Sequence, residues 1–211
     1  MTQSSPIKTI FWDIGGVLLT NGWGRRQRAH TLTPLGVDIE DFESRYDAAN
    51  FFWERGLSTA IEFFNKTVFH ADQPSRSFSY EELWPLVCAE SKQLDPATYN
   101  ILVSLSASGK YKVATLNNES RELNDYRLDA FDLRRHFDYF ICSGYVHEMK
   151  PNPDIYRAAI EISGLPPSTA VFIDDKPENC RAAAAFGIVP ILFESPAQLT
   201  RDLETLGIQI K

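Results

Sequence analysis

Five short apolar runs, rich in β-branched and aromatic residues, punctuate the chain at residues 7–12, 111–116, 139–142, 170–173 and 188–193. Runs of that length and composition predict buried strands. Between the later runs lie segments of helical character, at residues 96–107, 119–129, 153–163, 177–186 and 196–206. Pro153, Pro177 and Pro196 mark helix starts, because a first-turn proline loses no hydrogen bond. Repetition of strand and helix predicts an α/β fold, a doubly wound, parallel, five-stranded Rossmann-like sheet.

Residues 21–95 break the alternation. They hold no strand run and carry amphipathic stretches such as AIEFFNKTVF and YEELWPLVCAE. Two units are therefore expected: an α/β catalytic core from residues 1–20 and 96–211, and an inserted all-helical cap at 21–95. Following the first strand, the cap would lie over the carboxyl end of the sheet and exclude water there.

At 211 residues and 44% hydrophobic, the chain is long enough for one core plus an insertion. The net charge of -7 removes the basic face that a nucleic-acid binder needs, so no nucleic acid is expected as a partner. Cys88, Cys142 and Cys180 are odd in number and lack CxxC spacing, which predicts neither disulfides nor zinc and fits a reducing cytoplasm. No membrane segment or leader is expected. The longest apolar stretch, residues 182–193, contains Gly187 and Pro190, and the opening MTQSSPIKTI lacks an apolar core.

Charge recurs where strands end. Asp13 closes the first run and is followed at one remove by Gly15 and Gly16; Lys150 precedes the helix start at Pro153; Asp174 and Asp175 close the fourth run. In an open parallel sheet, ligands sit outside the carboxyl ends of the strands, so these groups are expected to converge on one crevice, with Asp13 as a nucleophile.

In this order, the segments DIGG, TLNNES, KPNPDIY and IDDKPEN resemble the four motifs of the haloacid dehalogenase superfamily, in its phosphatase-like branch with a helical cap of the subfamily I type. The resemblance implies a hydrolase that forms an aspartyl phosphate on Asp13, with Lys150 neutralising charge and Asn117 donating to a phosphoryl oxygen. It implies Mg2+ held by Asp13, the carbonyl of Gly15, Asp174 and Asp175. Gly16, Asn118 and Asn179 fall in the same motifs and are expected to bind substrate. The segment FFWERGLST resembles the ERG-containing lid of related phosphatases and makes Trp53 and Arg55 expected specificity residues.

Position 15 departs from that pattern. Most phosphatases of the superfamily carry a second aspartate there, which protonates the leaving oxygen; glycine keeps only the carbonyl. General acid and base work contributes ~10²- to 10⁴-fold in rate. Two consequences are open: substrates with good leaving groups, such as sugar-1-phosphates, aryl or acyl phosphates, or a proton from the lid, with His30, Glu54 and Arg55 as candidates. The expected partner is a small phosphorylated metabolite, acted on by a monomer or homodimer. The rival readings are a metal-free 2-haloacid dehalogenase and a catalytically impaired protein that binds a phosphorylated ligand.

Overall fold

The computed structural model describes residues 6–72 and 75–210. The opening MTQSS, Gln73, Pro74 and Lys211, which fall within the expected core and cap, lie outside the described residues. In chain order the elements are β1 (Thr9–Trp12), α1 (Arg25–Leu32), α2 (Ile39–Trp53), α3 (Ala60–Thr67), α4 (Tyr80–Ala89), α5 (Pro96–Ala107), β2 (Lys112–Asn117), α6 (Arg121–Ala130), β3 (Tyr139–Cys142), α7 (Ser143–Val146), α8 (Pro153–Ser163), β4 (Ala170–Asp174), α9 (Pro177–Ala185), β5 (Val189–Leu192) and α10 (Pro196–Thr205).

The strands form one sheet in the order β3-β2-β1-β4-β5, and every adjacent pair is parallel. β1 is central, with Ile10 in register with Val113 on one side and Val171 on the other. Successive side chains of a strand point to opposite faces. Ile10, Trp12, Val113, Val171 and Ile173 accordingly pack with Leu102 and Leu105 of α5 and Leu199 and Leu203 of α10. Phe11, Ala114, Leu116 and Phe172 pack on the other face with Ile155, Tyr156 and Ala159 of α8 and Ala183 of α9. Covered on both faces, the sheet needs continuous apolar runs, which is why all five strands were legible. Pro190 sits within β5 because that strand is at the sheet's edge, where a missing N–H is tolerated.

Helices α1 to α4 occupy the stretch between β1 and α5 and build a cluster of their own around Trp23, Phe42, Trp53, Phe63, Phe64, Leu83 and Val87. Thr59 with Glu62, and Ser79 with Glu82, form capping boxes that start α3 and α4 by satisfying otherwise orphaned N–H groups. Leu123 of α6 joins the cluster, so the helical segment docks on the core through the first turn of α6. Among the described residues no helix is long and apolar enough to cross a membrane. Cys88, Cys142 and Cys180 are free and buried.

Candidate active site

The chain leaves β1 at Trp12, so Asp13 stands at the carboxyl end of the central strand, its N–H bonded to the Ile173 carbonyl at 2.9 Å. Asp174 is the last residue of the neighbouring β4. Adjacent parallel strands thus deliver both acids to one place. Lys150 enters from the loop before α8 and places its Nζ 3.0 Å from Asp13 Oδ2 and 2.6 Å from Asp174 Oδ2. All three are almost wholly shielded from solvent, at 6%, 5% and 0% exposure for Asp13, Lys150 and Asp174.

Each group is held by further bonds. The Ile14 N–H donates to Asp13 Oδ1 at 2.8 Å. Asp174 accepts from the Lys176 N–H at 2.8 Å and from the Asn179 amide at 3.0 and 3.1 Å. Asn118 donates to the Lys150 carbonyl and accepts from the Lys150 N–H, both at 2.8 Å. Asn118 and Asn179, expected on substrate, have those side-chain bonds directed at Lys150 and Asp174 instead.

Asp175 completes the group. One oxygen from each of Asp13, Asp174 and Asp175 lies within 4.8 Å of the others. Gly16, with φ of +81°, lets that carboxylate approach, since a Cβ there would overlap Asp175 Oδ2. Asp175 Oδ1 is buried without a hydrogen-bond partner.

The electrostatics follow from the count of charges. Burial pushes the Asp13 carboxyl up to about 7; Lys150 opposes this, and Asp174 and Asp175 add to it. Burial likewise raises Asp175, with Asp174 contributing. Burial works against the charge on Lys150, but Asp13 and Asp174 outweigh it and hold the ammonium above its usual range. Two buried acids thus share Lys150, and a third, half-buried acid stands beside them. An all-oxygen donor set with excess negative charge and an orphaned carboxylate oxygen fits a hard divalent cation such as magnesium.

Asn117 ends β2 and is buried; its amide donates to Asn124 Oδ1 at 2.9 Å and to Cys142 Sγ at 3.9 Å, which leaves its Oδ1 as the atom without a partner. Trp53, at the end of α2, stacks on Phe63 with ring centroids 4.3 Å apart and donates its Nε1–H to Glu122 at 3.2 Å. Arg55 lays its guanidinium 4.3 Å from the Phe51 ring centroid. His30 pairs with Glu90 at 2.7 Å.

Between the helical segment and the sheet's carboxyl end lies a cavity of about 280 Å³, whose lining includes Asn21, Arg28, Trp53, Glu54, Glu119 and Lys176. Arg55 and His30 are not among its lining residues. Asn21 meets the core at Gly15, where a Cβ would stand 3.0 Å from Asn21 Oδ1. Lys176 follows Asp175 directly. Beneath the cavity, Arg127 is fully buried and pairs with Glu119 at 2.9 Å while donating to Ser91 Oγ and the Thr20 carbonyl. Sequence reasoning missed Asn21, Glu119 and Lys176. Glu119 and Lys176 had a signal, since each follows directly on a motif residue at a strand end.

The turn after α2 is anchored to the core by three contacts. Ser143 Oγ donates to the Glu54 carbonyl at 2.6 Å, the His147 ring bonds the Arg55 carbonyl at 2.6 Å, and Gly56, with φ of +63°, packs where a Cβ would overlap the Gly144 carbonyl. The short α7, which the apolar pattern did not predict, supplies all three partners or adjoins them.

The profile of haloacid dehalogenase-like hydrolases matches residues 7–187. Flavin mononucleotide hydrolase 1 of Arabidopsis thaliana is 32% identical over 82 residues, or 39% of this chain and 34% of that protein. Bifunctional epoxide hydrolase 2 of Sus scrofa is 32% identical over 221 residues, or 97% of this chain and 40% of that protein. The chain thus spans well under half the length of these two relatives. In fold it is similar to a HAD family enzyme of Bacteroides thetaiotaomicron crystallised with magnesium and inorganic phosphate, with a TM-score of 0.75 and 24% identity over 89% of this chain and 94% of that one.

Proposed function

The chain belongs to the haloacid dehalogenase-like hydrolase family, and from that premise we propose that it is a magnesium-dependent hydrolase of a small phosphorylated metabolite, working through a phosphoryl group carried on Asp13. The observation that carries this reading is the clustering of Asp13, Asp174 and Asp175, with the Lys150 ammonium bound to the first two. Magnesium bound by the three carboxylates and the Gly15 carbonyl would supply charge neutralisation for an anion attacked by an anion. The names of the flavin mononucleotide hydrolase and of the magnesium and phosphate complex support the same reaction class.

The residues divide the work. Asp13, held by Ile14 N–H and Lys150, attacks phosphorus with a carboxylate oxygen, and the bond to the leaving oxygen breaks. Lys150 places positive charge beside the nucleophile and the phosphoryl oxygens. Asn118 and Asn179 act by orienting Lys150 and Asp174, and Gly16 makes room for Asp175. Water then attacks the aspartyl phosphate and releases inorganic phosphate. Helices α1 to α4 act as a cap that closes the crevice, with Trp53 at the cavity wall. Free, buried thiols suit a reducing cytoplasm.

Gly15 has no side chain to protonate the leaving oxygen, which favours anomeric sugar, aryl or acyl phosphates. The rival reading, a metal-free dehalogenase, meets a specific obstacle. Without a cation, Asp174 and Asp175 repel charge on Asp13 and weaken it as a nucleophile. A panel of phosphate esters and 2-chloroacids, each with magnesium and with chelator, tests the proposal. Magnesium-dependent phosphate release is expected; chloride release with chelator present would overturn it.

A further inference from the structure

The proton that Gly15 cannot supply has a source in the helical segment. Glu54 lines the cavity together with Asn21, which packs on Gly15, and Lys176, which follows Asp175. It therefore shares one cavity with the residue that covers the place of the missing side chain and with the neighbour of Asp175. The turn that carries it is fixed on the core by Ser143, His147 and the Gly56–Gly144 approach, so its position does not depend on a free lid. His30 and Arg55, the other candidates, turn to Glu90 and Phe51. Among the cavity's carboxylates, Glu119 is bound to Arg127, whereas Glu54 pairs with no cation at salt-bridge distance among the described residues.

We propose that Glu54 is the general acid and base of the reaction, taking the part that the side chain at position 15 plays elsewhere in the superfamily. In the first step the Glu54 carboxylic acid gives its proton to the leaving oxygen as the phosphorus–oxygen bond breaks and Asp13 becomes phosphorylated. In the second, the Glu54 carboxylate takes a proton from water as the water oxygen attacks phosphorus and the bond to Asp13 breaks. Glu54 ends protonated, and inorganic phosphate leaves.

The chemistry of the cavity supports this assignment. Burial, with the nearby charge of Glu119, raises the Glu54 carboxyl to about 7; Lys176, the Asn50 side chain and Arg28 oppose the shift. Tyr46, half-buried on the same cavity, has its phenol pushed up by burial and by the Glu54 charge. A carboxyl titrating near the operating pH serves in both directions. The inference rests on the aspartyl-phosphate reading and widens it, because a supplied proton admits ordinary sugar and alkyl phosphates as substrates.

The test compares leaving groups in the magnesium-loaded enzyme. E54Q is expected to lower turnover of alkyl and sugar phosphates by ~10²- to 10⁴-fold. First-turnover release of nitrophenolate from nitrophenyl phosphate, followed by rapid mixing, is expected to stay near the wild-type rate, with the later turnovers slowed. E54D is expected to retain part of the alkyl phosphatase activity. Equal slowing of the first turnover for both leaving groups, or slowing of neither, overturns the assignment. If E54Q does not fold, wild-type pH profiles decide: first-turnover rates on alkyl but not nitrophenyl phosphate must fall as pH rises through about 7; parallel profiles overturn it. Asp13→Asn separates the two claims, since first-turnover release that survives in that variant refutes the aspartyl phosphate itself.

Discussion

Asn118 clasps the main chain of Lys150 from both sides, donating to its carbonyl and accepting from its N–H, each at 2.8 Å. The ammonium of Lys150 reaches Asp13 and Asp174 only if the loop that carries it is held, and Asn118 joins the end of β2 to that loop. An Asn118→Ala variant should therefore lose kcat by about 10- to 100-fold through misplacement of Lys150, with KM nearly unchanged. Steady-state phosphate release measures this, and wild-type kcat would show that Asn118 does not position Lys150.

Gly16 sits at φ of +81° against the Asp175 carboxylate. Alanine there meets backbone strain of about 1–3 kcal/mol and pushes the carboxylate aside. Gly16→Ala is expected to lower Tm and to weaken magnesium binding by calorimetry. Unchanged magnesium affinity would remove Asp175 from the metal site.

Gly15 is a different case. It is not among the positive-φ glycines, and a Cβ there meets only the Asn21 side chain at close range. Gly15→Asp should fold and, placed in an E54Q background, should restore alkyl phosphate turnover by at least about tenfold. Failure of that rescue, in a double variant with the wild-type unfolding profile, would count against a proton shortage at this site.

Glu54 also links folding to pH. Its carboxyl titrates at about 7 in the fold against 4.5 as the ordinary value, so the folded state holds the extra proton between those limits. Stability from this group is full below the ordinary value and declines as pH rises through about 7. Glutamine keeps the neutral form throughout. At about pH 8, E54Q should melt about 7–14 °C above the wild type, with the gap closing by about pH 5. A gap that widens toward acid would reverse the sign and contradict the raised carboxyl.

Arg127 ties together the buried Glu119 and Ser91 and the carbonyl of half-buried Thr20, at the junction of core and helical segment. Removing one partner of such a pair costs about 3–5 kcal/mol because the other charge stays buried. Arg127→Met should lower the denaturation midpoint accordingly, and a loss of less than about 1 kcal/mol would mean that Glu119 finds water or a new partner.

The sheet was readable because Ile10, Phe11, Trp12, Val171 and Phe172 are buried on both faces and leave unbroken apolar runs. Asp13, Lys150, Asp174 and Asp175 were readable because parallel strands gather their ends, so position along the chain translates into place in space. Other features need three dimensions. Nothing in the chain's pattern tells that Asn118 bonds Lys150 or that Asn179 bonds Asp174, since each partner lies on another element. The four-residue α7 is too short for a periodic signal, yet it fixes the turn bearing Glu54. Glu119 looked like the start of a helix; Ser120 caps that helix instead, which leaves Glu119 to pair with Arg127 below the cavity.

The identity of the phosphoryl acceptor is open to direct measurement. Enzyme quenched in acid during turnover with magnesium and nitrophenyl phosphate, then digested and mapped by mass spectrometry, should carry one phosphoryl group on Asp13, absent with chelator and in Asp13→Asn. Turnover with no phosphoryl group on Asp13 at any quench time, or activity retained by Asp13→Asn, would contradict the account.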